Sequence, residues 1–162
     1  MGTRRFAREL AMQALFSMDM HNAFSPEMLA DYRRCFPPNK RVGPYFERLT
    51  GGVLQNRAHI DKVIEQYSSN WKVRRMACVD RNILRLAVFE LLFCIDIPAK
   101  VSINEAIDIA KKFGSSESGS FINGILDSIR TALEKEELHT IPLPPPLVGV
   151  EETETEEEEE GN

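Results

Sequence analysis

Cysteine is scarce in this 162-residue chain. Cys35, Cys78 and Cys94 are an odd number, and they show no CxxC or other ligand spacing. This excludes a disulfide framework and points to a reducing compartment, so the cytoplasm is the expected location. The opening MGTRRF has no apolar stretch for a signal peptide, and Phe6 breaks the MGxxx[ST] myristoylation pattern. Long apolar runs are missing too. The most apolar one, LAVFELLFCI from Leu86 to Ile95, contains Glu90 and falls far short of the roughly 20 residues that cross a bilayer. No membrane role is predicted.

Catalytic signatures are also absent. His21, His59 and His139 are scattered, with no HExxH or HxH pair, and there is no G-x-S-x-G, Walker loop or dinucleotide fingerprint. Gly114, Gly119 and Gly124 match no phosphate-cradling pattern. Glu105 and Asp108 stand one helical turn apart, but Lys111 and Lys112 follow at pair distance, so a solvated charged face is the expected reading. No enzyme, cofactor or metal site is predicted.

What is present is an ordinary globular composition, 43% hydrophobic and 28% charged, at a length that suits one domain with a true core. The net charge of −5 conceals a basic body. Eight of the 25 Asp and Glu lie in EETETEEEEE, residues 151–160, leaving 17 acids against 20 Lys and Arg. PLPPPL before that run reads as a stiff spacer and the Glu run as a solvated tail, so residues 1–138 form the helical domain and 139–162 the Pro-rich spacer and acidic disordered tail. A second reading makes the tail a tethered polyanion that competes for basic residues.

Helical periodicity runs through the domain, with no sustained period-two alternation, which predicts an all-α fold. The first helix covers about Arg4 to His21 with Thr3 placed to cap it. Ser25 and Pro26 start a second that ends before Pro37, and Gly43-Pro44 starts a long third with Tyr45, Phe46, Leu49, Val53, Ile60, Val63, Ile64 and Tyr67 inward. Val79 to Ile95 is apolar all round and belongs at the centre. Ser102 and Glu105 form a capping-box pattern for a fifth helix stopped by Gly114, and a sixth covers about Ser118 to Leu138.

The first helix carries a local conflict. Arg4, Arg5 and Arg8 crowd the positive pole of its dipole, where each cation costs on the order of 0.3–1 kcal/mol. At 100° per residue they lie beside the apolar arc of Phe6, Leu10, Ala14, Leu15 and Met18, while Met12 and Phe16 fall on the side that should be wet. Three guanidinium groups with an adjacent aromatic suit phosphate contacts and base stacking. A plain solvated basic face is the competing reading. Phe121, well off the stripe Ile122, Ile125, Leu126, Ile129 and Leu133, is either a staple on the preceding loop or a stacking surface for single-stranded RNA.

TRRFARELAMQALFSM, then DRNILRLAVFELLF with IDIPAKVSINEAIDIAKKFG, then FINGILDSIR resemble, in that order and spacing, the NusB family of bacterial transcription antitermination factors. The resemblance covers about Arg4 to Arg130. It implies an all-α bundle of two packed helical subdomains without enzymatic activity. It further implies binding of single-stranded boxA RNA of ribosomal RNA operons together with NusE, a small-subunit ribosomal protein, in a complex with other Nus factors and RNA polymerase. The expected RNA-side residues are Arg4, Arg5, Arg8, Phe16, Tyr67, Lys100 and Phe121, and Asp80 and Glu117 lie at positions associated with NusE and RNA. Phosphates would then supply the charge the helix start lacks, and removing Arg5 or Arg8 would leave stability unchanged or slightly raised. Pairing of two copies through the RNA surface stays open. NusB-like domains also precede ribosomal RNA cytosine methyltransferases, but a chain ending at Asn162 leaves no room for that domain, so a free-standing factor is expected. A bundle that binds only protein partners is the third reading.

Overall fold

Prolines and glycines punctuate the chain where the helices begin and end. In the computed structural model, which describes residues 2–141, the order is α1 (Thr3–Met20), α2 (Pro26–Cys35), α3 (Gly43–Tyr67), a 3-10 turn (Val73–Arg75), α4 (Cys78–Phe93), α5 (Ala99–Phe113) and α6 (Ser118–Glu134). No strand occurs among the described residues. The sequence-predicted spacer and Glu run from Pro142 onward lie outside them.

Every residue from Asn82 to Phe93 on α4 is buried, as its all-round apolar pattern dictates. α4 touches α1, α3, α5 and α6, so it sits between two groups: α1, α2 and α3 pack on one another, and α5 and α6 pack together and on α4. Gly52 makes the close approach of α3 and α4 feasible. A Cβ there would stand 2.1 Å from Phe89 Cζ, so Gly52 lets α4 approach α3, which runs unbroken through Gly51-Gly52. Around that seam Phe46, Leu49, Val53, Ile60 and Ile64 of α3 meet the core with Phe89 and Phe93 stacked at 5.2 Å.

Local signals hold in part. Ser25 Oγ accepts from Met28 N–H with Pro26 at the first helical position, and Gly114 ends α5. Thr3 does not cap α1: the helix begins at Thr3 itself after an extended Gly2, which puts the hydroxyl inside the first turn. The capping box at Ser102 and Glu105 does not form either. Pro98, in extended geometry, starts α5 earlier, so Ser102 lies in the second turn and donates to Glu90 Oε2 at 3.0 Å. α6 ends at Glu134, before the predicted Leu138, because the chain turns through Glu136 at φ 57°. Leu138 and Ile141 then lie against the core, and Ile141 N–H donates to Leu92 C=O at 2.8 Å.

Two sets of ion pairs orient α1 against α4. Near the start of α1, Arg8 meets Glu90 near the end of α4; at the end of α1, Asp19 meets Arg81 and Arg85 near the start of α4. The two helices are therefore antiparallel. Asp61 of α3 completes the second set, accepting from Arg85 at 2.7 and 3.0 Å, with Asn82 donating to Asp19.

Candidate nucleic-acid interface

The conflict at the start of α1 is resolved inside the molecule. Arg8 is only 5% exposed, and its Nε and Nη2 donate to the two Glu90 oxygens at 2.7 and 2.9 Å. Ser102 donates to the same carboxylate, and the Tyr45 ring lies 5.5 Å from the guanidinium centre. Burial alone would lower the Arg8 pKa, but the hydrogen bonds and charge of Glu90, with Tyr45 and Glu105 nearby, together more than offset it, and the pKa stands above its usual value. Burial also drives the Tyr45 hydroxyl well above the phenol range. The expectation that Arg8 faces phosphates is thus corrected: its fork is occupied, and a buried carboxylate depends on it.

Arg5 is held less completely. It donates to both Glu105 oxygens, at 2.9 and 3.1 Å for the shorter contacts, and to Asp108 at 3.2 Å, with about half its side chain exposed. The hydrogen bond from Arg5 holds the Glu105 carboxyl below its ordinary value, against the opposing effect of burial. Glu105 and Asp108 are therefore not the solvated face paired with Lys111 and Lys112 that the spacing predicts. They reach across to α1, and Lys112 likewise pairs with Glu9 at 2.9 Å. Arg4 is the most open of the three, lying over Tyr45 at 5.2 Å with its nearest acid, Asp96, at 3.8 Å.

The Arg5–Glu105 and Glu9–Lys112 pairs show that the side of α1 bearing Arg5, Glu9, Met12 and Phe16 faces α5. Hence Met12 is fully buried and Phe16 half-buried, where the helical wheel left both wet. The wheel cannot show which neighbour covers an arc.

The remaining predicted residues fall into two groups. Lys100 is exposed at the second position of α5, whose second and third turns meet Arg5 through Glu105 and Asp108. At the far end of the α1–α4 pair, Tyr67 closes α3 half-buried, Asp80 lies in the first turn of α4, Glu117 is exposed just before α6, and Phe121 stands half-buried in the first turn of α6. Arg4 and Phe16 are about 18 Å apart along α1. Asp80 is 9% exposed and favourable to the helix dipole, but its Oδ1 has no hydrogen-bond partner among the described residues. Phe121 does not simply staple its own loop: its ring meets Trp71 edge-on at 6.1 Å.

Sequence reading passed over three sets of residues. Glu90 and Arg85, in an otherwise apolar helix, had to be paired once buried, and that signal was available. Trp71, with Lys72, Arg74 and Arg75 around it, is a basic aromatic stretch between two helices. Arg48 and Asp96, joined at 2.7 Å, gave no sequence signal, and that bond holds the Asp96 carboxyl below its usual value.

Comparison with known proteins accords with this arrangement. The NusB family pattern matches residues 5–131. The transcription antitermination protein NusB of Desulfatibacillum aliphaticivorans is 55% identical over 137 residues, 85% of this chain and 96% of that protein. The protein of the same name from Myxococcus xanthus is 43% identical, over 83% of this chain and 99% of its own. Among solved structures, T. maritima NusB superposes with a TM-score of 0.70 at 38% identity, covering 83% of this chain and 97% of that one. The structure of antitermination factors NusB and NusE in complex with dsRNA gives 0.70 at 27% identity, over 82% and 98%. With the helical order, the central α4 and the matched length all in agreement, the chain belongs to the NusB family.

Proposed function

We propose that this chain acts as a transcription antitermination factor that binds boxA RNA of ribosomal RNA operons together with NusE and supports processive transcription of those operons. The observation that carries the reading is the likeness, over most of both chains, to a NusB that was solved with NusE and RNA. The geometry is compatible with it. Arg4, the exposed half of Arg5 and Lys100 offer cations at one end of the α1–α4 pair, and Phe16, Tyr67 and Phe121 offer aromatic faces toward the other. Arg8 stands behind them and holds the fold. Asp80, at the start of α4, and the exposed Glu117 are the proposed partner contacts, NusE being the partner.

RNA polymerase and other Nus factors complete the assembly in this reading, and the cytoplasm is its place. Among the described residues no helix is long and apolar enough to cross a membrane. So few open cations give weak, salt-sensitive binding alone, so NusE and this chain together form a composite surface. The test is binding of boxA-like single strands, scrambled strands and duplexes by the purified chain with and without NusE, at several salt concentrations. Tight binding of the boxA-like single strand that needs NusE is expected. Equal affinity for the scrambled strand, or equal affinity without NusE, contradicts the proposal.

A further inference from the structure

Trp71 is the only tryptophan of the chain, and it is 56% exposed. Such a side chain in water forgoes much of the burial a large aromatic normally gains. Its backbone is held in place at some cost. Ser69 and Asn70 immediately before it adopt φ of 56° and 62°, two successive left-handed residues neither of which is glycine. Local bonds enforce the turn. Trp71 N–H donates to Ser68 C=O at 3.2 Å, Asn70 N–H to Glu65 C=O at 3.1 Å, and Ser68 Oγ donates to Trp71 C=O at 3.3 Å.

The far side of the segment is anchored as firmly. Val73 and Met76 are buried, Val73 N–H donates to Glu65 Oε1 at 3.1 Å, and Arg81 Nη1 donates to the Arg74 and Met76 carbonyls, both at 3.3 Å. With Val73 and Met76 as pegs, Lys72, Arg74 and Arg75 are left exposed. Arg74 and Arg75 have no carboxylate within ion-pair distance among the described residues, and Lys72 has only Glu65 at 3.9 Å. A rigid turn that displays one aromatic face and three cations is chemically complementary to a nucleic-acid strand, whose bases stack and whose phosphates pair.

We infer that Trp71 is a base-stacking residue for single-stranded RNA, paired with Phe121 in one aromatic platform, and that Lys72, Arg74 and Arg75 hold the phosphates on either side of the stacked base. Beside its T-shaped contact with Phe121 at 6.1 Å, Trp71 keeps more than half of its surface open to solvent. The platform lies at the end of the α1–α4 pair opposite Arg4, so it lengthens the RNA path past Phe121. This inference rests on the proposed RNA-binding function and adds to it a site that the sequence reading did not contain. Because both bonded flanks fix the loop before any ligand arrives, little ordering is required on binding.

The single tryptophan reports on the site directly. The full chain with NusE is titrated with a boxA-like single strand carrying a terminal fluorophore, following RNA anisotropy and tryptophan emission excited selectively. NusE's own tryptophans, if any, are subtracted using the Trp71→Phe chain. Expected are quenching of Trp71 that saturates with the anisotropy change, and affinity reduced roughly 5- to 100-fold by Trp71→Ala but largely kept by Trp71→Phe. Arg74→Gln with Arg75→Gln should reduce the salt slope by about 1.4, two single-strand contacts. If RNA binds while Trp71 emission and the Trp71→Ala affinity stay unchanged, the platform is refuted and the RNA-binding function stands. If NusE quenches Trp71 without RNA, the face is a protein contact and the platform is equally refuted. If no RNA binds under any condition, both fall. Circular dichroism of Trp71→Ala, an exposed position, confirms that the fold is kept.

Discussion

At the start of α1 each arginine meets an acid; between α3 and α4, Arg74 and Arg75 meet none among the described residues. The two basic stretches look alike in sequence, and their surroundings divide their work. Glu90, Glu105, Asp108 and Asp96 converge on α1 from the end of α4, from the connection after it and from α5, so cations at an unfavourable helix end become the joint between the two halves of the bundle. The 71–75 stretch is bonded through its backbone and through Val73 and Met76, which leaves its charged side chains unused by the fold. Arginine density therefore says little about binding until the acids that answer it are known.

The comparison breaks most visibly at Arg8. Arg8→Ala leaves Glu90 buried and uncompensated, so a loss of about 3–5 kcal/mol is expected in urea or thermal unfolding. This reverses the sign that the helix dipole alone predicts. Arg5→Ala should cost far less stability than Arg8→Ala, since its pair with Glu105 is half open to water, while weakening RNA binding at low salt. The reverse change sharpens the point: Glu105→Gln releases Arg5 toward phosphates and should raise low-salt RNA affinity about two- to fivefold, with the gain shrinking as salt rises. An affinity drop instead would mean that Glu105 aims Arg5 rather than competing for it.

Acid sensitivity should follow the paired carboxylates. Asp19, half-buried but held by Arg81, Asn82 and Arg85, and Glu105, held by Arg5, both have pKa values lowered from the ordinary 3.8 and 4.5. A group whose folded pKa is depressed stabilises fully above its unfolded value and loses that contribution as pH falls through the folded one. Stability should thus be flat above about pH 5 and decline below about pH 4. The decline should be shallower in Glu105→Gln. Smallest of all, Arg74→Gln with Arg75→Gln should shift unfolding by less than about 0.5 kcal/mol, in keeping with side chains the fold does not use.

Much of the fold was legible because periodicity and punctuation are local. The inward face of α3 from Tyr45 to Ile64, the Ser25-Pro26 start and the central α4 all follow from residues within a few turns of one another. The site was less legible because its decisive contacts span 50 to 100 residues. Arg5 with Glu105, Arg8 with Glu90 and Trp71 with Phe121 are invisible to a helical wheel, which is why Met12 was placed in water and Glu105 on a solvated face. The family resemblance implied the bundle and the expected partners, but it could not show that one of three nearby arginines is a core residue.

That division of labour within α1 is tested most directly by replacing the buried pair as a unit. Arg8→Met with Glu90→Leu removes both charges, so the bundle should refold with most of the stability that Arg8→Ala loses. The measurement is the salt dependence of boxA-like RNA binding by this double variant with NusE, against the unmodified chain. An unchanged slope is predicted, since Arg8 touches no phosphate. A slope reduced by about 0.7, the signature of one lost single-strand contact, would contradict the account and return Arg8 to the RNA surface.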